Sequence, residues 1–204
     1  TTAVAHELGL PVVAVQHHYA HILSCMAEND WEEPVIGIAF DGTGYGTDGT
    51  IWGGEVLVSD VHGFQRSASI QPFWQRGGDA SAREGWRIAV SLIDSLQKDR
   101  SQAASMIEAL HLCSEAERQA QLPLADQQIN SVLSTSAGRL FDGISAILGI
   151  CRASTFEGQA SMALQFAAEA WEKDRPAPDV TPMAPIHGQE RLLLPTGVLV
   201  RQIL

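Results

Sequence analysis

The chain has 204 residues, 45% of them hydrophobic and 18% charged, and its 13 Lys+Arg against 24 Asp+Glu leave a net charge of −11. That composition suits a globular domain with a real core and excludes a disordered, collagen-like or disulfide-rich chain. The acidic balance argues against a broad nucleic-acid binder, no apolar run is long enough to span a membrane, and no secretory signal opens the chain.

The opening Thr1-Thr2-Ala3-Val4 carries no Met and reads as the interior of a longer polypeptide. The three cysteines, Cys25, Cys113 and Cys151, form no CxxC pair, which suits a reducing cytoplasm and buried thiols.

Residues 1–9 read as the end of a helix stopped at Gly9, with Pro11 beyond. Residues 12–15, Val-Val-Ala-Val, predict a short buried strand, and His17 to Glu28 a helix with Ile22, Leu23 and Met26 on its apolar side. A second buried strand is expected at 35–40, a third at 51–59 and a fourth at 63–70. Residues 72–79 read as a loop and 80–98 as a helix with Trp86, Val90, Leu92 and Ile93 in the core. The polar, Ala/Gln/Glu-rich stretch 101–133 has helical propensity, and 136–148 and 159–171 are firm helices. Residues 173–185 hold four of the nine prolines and read as a linker, and 190–204 as a strand or turn entering a helix. The class is α/β with an inserted or following helical subdomain.

Two features carry chemistry. In Gln16-His17-His18-Tyr19-Ala20-His21, His17 and His21 lie four apart, so on a helix both imidazoles face one side and can reach one metal ion. The same spacing also suits a hydrogen-bonded surface pair, and a metal needs a third ligand. The second feature is the run from Phe40 to Glu55. Seven of the 18 glycines fall in residues 37–54, where an even spread places about 1.6. Glycines allow a backbone to approach a phosphate closely, although the same run also suits a plain hairpin with Asp-Gly turns. It lacks GK[ST] and no helix follows it, so it is neither a P-loop nor a dinucleotide fingerprint. Asp41, at the end of its strand, can orient a metal or a water. Arg83 and Arg87 can grip a carboxylate or phosphate, or simply face solvent.

Taken in order, Val15 to His21, Phe40 to Gly46 with Trp52-Gly53-Gly54-Glu55, Arg76-Gly77-Gly78-Asp79, Ser136 to Phe141 and Phe156-Glu157-Gly158-Gln159-Ala160 resemble the C-terminal catalytic region of the HypF family of [NiFe]-hydrogenase maturation. The resemblance implies a partial actin/Hsp70/sugar-kinase-like (ribonuclease-H-like) fold with an added helical subdomain. On that reading residues 1–75 end the N-terminal half, 76–175 are mainly helical, and 176–204 are a linker and the start of the next half. It implies carbamoyl transfer from carbamoyl adenylate to the C-terminal cysteine of a HypE-like partner, with carbamoyl phosphate and ATP used by an upstream domain. The family pattern makes His17 and His21 ligands of one divalent ion, Fe or Zn. It makes Gly42, Thr43, Gly44 and Gly46 nucleotide-binding, and Asp41 catalytic. A third ligand is expected beyond Leu204. The family's acids after the Glu157-Gly158-Gln159-Ala160 motif are replaced here by Ala163 and Gln165, so that helix receives no catalytic carboxylate. An O-carbamoyltransferase acting on a small metabolite and a non-catalytic actin-like nucleotide-binding module are the alternatives. A cytoplasmic location is expected, with no nucleic acid and no membrane as partner.

Overall fold

The computed structural model describes residues 2–97, 99–124, 129–173, 175 and 182–204. Much of the linker expected at 173–185 lies outside the described residues. The described elements form a seven-stranded mixed sheet with helices packed on it. The strands are β1 (Val35–Tyr45), β2 (Ile51–Ser59), β3 (Phe64–Ile70), β4 (Phe73–Arg76), β5 (Ser131–Ser134), β6 (Ile186–His187) and β7 (Leu192–Leu194). Their order is β4-β5-β2-β3-β7-β6, with β1 paired antiparallel to β2 beside this path.

The helices are α1 (Thr2–Glu7), α2 (His17–Glu28), α3 (Gly85–Leu96), α4 (Arg100–Ala109), α5 (Glu115–Gln121), α6 (Ala137–Ile147), α7 (Gln159–Glu172) and α8 (Thr196–Ile203). The main core forms around α3. Trp86, Ile88, Ala89, Val90, Leu92 and Ile93 are all buried, together with Leu140, Ile144 and Ile147 of α6 and Val200 of α8. Apart from a narrow polar stripe of Arg87, Ser91, Asp94 and Ser95, α3 is apolar, and its apolar face is buried against its neighbours. A second, smaller core of Ile22, Met26, Trp52 and Leu57 fastens α2 to the β1–β2 hairpin.

Several expectations change. Residues 10–16 form no strand, and Val12, Val13 and Val15 are exposed. A β-branched run becomes a strand only with a neighbour to complete its ladder, and none of the described strands pairs with it. The strand at 35–40 is an edge rather than a buried element: Ile36, Ile38 and Phe40 are exposed, and β1 continues through the glycine run to Tyr45. The loop expected at 72–79 contains β4, and the end of the polar helical stretch contains β5. The two pair antiparallel, Phe73 against Ser134 through Arg76 against Ser131. Each is four residues long, too short for periodicity to reveal. The cysteines are free, with Cys25 exposed and Cys113 and Cys151 partly buried.

Candidate functional site

Helix α2 starts where Gln16, in extended conformation, caps it by accepting from Tyr19 N–H at 2.9 Å. The same amide donates to the Tyr45 carbonyl and to His18 Nδ1, both at 3.1 Å. Gln16 thus ties the first turn of α2 to the far end of β1. The tie leaves His17 and His21 on one exposed face, with Nε2 atoms 3.2 Å apart.

Asp41 completes the cluster from β1. Its Oδ2 lies 2.8 Å from His17 Nε2, and the three donor atoms of His17, His21 and Asp41 all lie within 4.8 Å of one another. Two imidazoles and one carboxylate in this arrangement suit a divalent transition ion with open positions for other ligands. Burial alone raises the Asp41 carboxyl, but the Gly42 N–H and the His17 ring outweigh it and hold the carboxyl below the usual carboxylate range. It is therefore an anion, the form a metal takes. Asp41, expected to orient a metal or a water, thus stands beside the two imidazoles with a donor atom of its own.

His18 is different from its neighbours. It is fully buried, and burial pushes its imidazole below the ordinary value, against the pull of Glu55 and Asp41. With Nδ1 accepting from Gln16, the neutral ring carries its proton on Nε2. That nitrogen is 3.8 Å from Asp41 Oδ2 and has no hydrogen-bond partner among the described residues.

The glycine run divides into two groups. Gly42 and Thr43 line a polar cavity of about 450 Å³, together with Asp41, Arg83, Arg139, Asp142 and Gly158. Gly44 and Gly46 instead make room for side chains. A Cβ on Gly44 would stand 2.2 Å from His18 Cε1, and one on Gly46 2.3 Å from the Trp52 indole nitrogen. The Gly42 N–H already bonds its own Asp41 carboxylate at 2.6 Å, and the Gly46 N–H bonds the Thr50 carbonyl at 2.9 Å. Positive φ in this loop occurs at Gly49, at 75°, where the hairpin turns.

Arginines supply the positive charge of the cavity. Arg139 donates from Nη1 to the Ala82 carbonyl at 2.6 Å, and its Nε stands 2.9 Å from Asp142 Oδ2. The pair is readable from its i,i+3 spacing on a helix, which a search confined to i+4 passes over. Burial pushes the Asp142 carboxyl up to about 6, against the opposing pull of Arg139. Arg87, in contrast, is occupied by Glu84, by Gln121 and by the face of Trp86. A second groove, about 650 Å³, runs along the β1 edge past His21 and Asp41. It is lined mainly by apolar groups such as Ile22, Met26, Ile36 and Phe40. The two spaces meet at Asp41, and the one on the side of α6 carries both signs of charge, Arg83 and Arg139 beside Asp142 and Glu157.

The family described as "Carbamoyltransferase, Kae1-like Domain, second subdomain" matches residues 37–203, and the "HypF Kae1-like domain" matches residues 1–28. Carbamoyltransferase HypF of Rhodobacter capsulatus is 43% identical over 171 residues, which cover 81% of this chain and 22% of that protein. Its counterpart from a Synechocystis strain is 42% identical over 174 residues, covering 79% of this chain and 23% of that one. A crystal structure of full-length HypF in the phosphate- and nucleotide-bound form superposes with a TM-score of 0.84 at 34% identity, over 98% of this chain and 25% of that one. The T. kodakarensis HypF structure superposes at 0.79 and 30% identity, over 98% of this chain and 26% of that one. The chain thus spans about a quarter or less of these relatives. With the family match extending over most of its length and the fold shared throughout, the chain belongs to the HypF carbamoyltransferase family, in its Kae1-like region.

Proposed function

We propose that this region carries the carbamoyl-transfer site of a HypF-type enzyme, taking carbamoyl adenylate as donor and a cysteine thiolate at the C-terminus of a HypE-like protein as acceptor. The observation that carries the reading is the convergence of His17, His21 and Asp41, with Asp41 also lining the cavity that holds Arg83 and Arg139. The names of the relatives support the reaction class, and the nucleotide-bound form of one relative supports nucleotide binding in the family.

His17, His21 and Asp41 would hold one divalent ion, Fe or Zn. Such an ion, when bound, supplies Lewis-acid polarisation of a carbonyl or phosphate oxygen. The remaining work falls to the chain's own groups. Arg139, held in place by Asp142 and the Ala82 carbonyl, offers charge to the adenylate phosphate. Gly42, whose Cβ position is open apart from Arg139 Nη2 at 3.6 Å, lets the ligand lie against the strand. In the transfer, the acceptor sulfur forms a bond to the carbamoyl carbon. The bond from that carbon to the phosphate oxygen breaks, and AMP leaves with the electron pair. Carbamoyl phosphate and ATP enter upstream, where the adenylate is made.

The test is twofold, in the full-length protein. His17→Ala should lower bound metal measured by elemental analysis, and Arg139→Ala should weaken AMP binding measured by calorimetry. Wild-type values in both would remove the reading.

A further inference from the structure

The Trp52-Gly53-Gly54-Glu55 motif has no part in the chemistry above, yet Glu55 is fully buried. Its carboxylate collects donors from three segments. Gly53 and Gly54 N–H groups donate to Oε1 at 3.2 and 3.4 Å, Arg66 Nε of β3 donates to Oε2 at 2.7 Å, and the Thr135 hydroxyl also donates to Oε1. Arg66 Nη2 reaches Thr135 Oγ1 as well, at 3.2 Å. A buried carboxylate needs such partners, so its position dictates theirs.

Thr135 adjoins Ser136, the N-cap of α6. Ser136 Oγ donates to the Gly42 carbonyl at 2.7 Å. That contact matters because β1 is irregular there. Phe40 pairs with Gly54 and Gly44 with Trp52, so Asp41, Gly42 and Thr43 together face Gly53 alone. A bulge loses its ladder bonds and re-aims its side chains. Here the missing support comes from α6. A Cβ on Gly53 would stand 2.5 Å from the Asp41 carbonyl oxygen and 2.9 Å from Ser136 Cα, so the bulge and the helix start are pressed together across Gly53.

We propose that Glu55 is a positioning residue for Asp41: through Thr135 and Ser136 it holds the start of α6 against the β1 bulge, and so aims the Asp41 carboxylate at His17 and His21. The proposal rests on the metal reading above. Bonds from a second layer of residues commonly change metal affinity by about 10- to 100-fold.

The experiment is a cobalt(II) titration of the full-length protein, followed by visible absorption, which reports ligand geometry. Thr135→Val, which keeps the side-chain volume and removes the hydroxyl, should bind cobalt about tenfold more weakly, with a changed band shape at saturation. Glu55→Ala should do the same or more, and Glu55→Gln, which keeps an oxygen toward Thr135, should recover part of the affinity. If Glu55→Ala does not fold, Thr135→Val decides. A folded Thr135→Val protein with wild-type affinity and spectrum overturns the positioning role, while cobalt loss in His17→Ala leaves the metal reading standing. Wild-type affinity in His17→Ala overturns the metal reading and the positioning role with it.

Discussion

His17 Nε2 lies 2.8 Å from Asp41 Oδ2, across 24 residues of sequence. The contact joins the first turn of α2 to the bulge in β1. His17 is exposed and Asp41 half-buried, and together with His21 they bring three donor atoms within 4.8 Å of one another.

Asp41→Asn should therefore cost metal as severely as loss of an imidazole. It keeps the side-chain shape and removes the negative charge that a divalent ion requires. Bound metal per protein, measured by mass spectrometry after gel filtration, should fall well below wild type while the far-ultraviolet circular dichroism is unchanged.

Two glycines of one loop should respond in opposite ways. Gly42→Ala meets only Arg139 Nη2 at 3.6 Å, an ordinary contact, so the protein should keep its melting temperature and lose nucleotide affinity. Gly44→Ala drives a methyl to 2.2 Å from the buried His18 ring. Overpacking of this kind costs about 1–3 kcal/mol. Chemical denaturation should show that loss, and displacement of the adjoining His17 should lower metal content as well.

Asp142 makes stability depend on pH. Its carboxyl is raised from 3.8 to about 6 in the folded protein, so in that interval the folded state binds more protons than the unfolded state. The resulting stabilisation is complete below about 3.8 and is lost as pH rises through about 6. Against Asp142→Asn, which cannot titrate, the wild type should lose at most about 3 kcal/mol between pH 4 and 7. Urea titrations of both proteins at several pH values measure the difference, and parallel curves would contradict it.

Trp52→Phe probes the hairpin. The indole N–H donates to Asp48 Oδ1 at 2.9 Å, and the ring lies under Arg66, whose guanidinium is 3.9 Å from the ring centroid. Phenylalanine keeps the apolar bulk and loses the donor, for about 1 kcal/mol. Asp48 retains Thr50 and Arg66, so the turn should persist and the change should appear as a modest drop in denaturation midpoint.

Local chemistry was legible along the chain. The four-residue spacing of His17 and His21, the apolar set of α3, the Ser136 cap and the β1–β2 hairpin around its glycines all follow from periodicity and turn chemistry, which act within a few residues. Tertiary structure alone decided the rest. Residues 12–15 have strand composition and stay unpaired, while 73–76 and 131–134 become strands because each supplies the other's ladder. It also decided that Gly42 faces the cavity while Gly44 yields to His18, and that Asp41 leaves the β2 ladder to meet His17. These outcomes depend on contacts between groups 24 to 95 residues apart, such as His17 with Asp41 and Asp41 with Ser136, and no local pattern encodes the distance at which such groups meet.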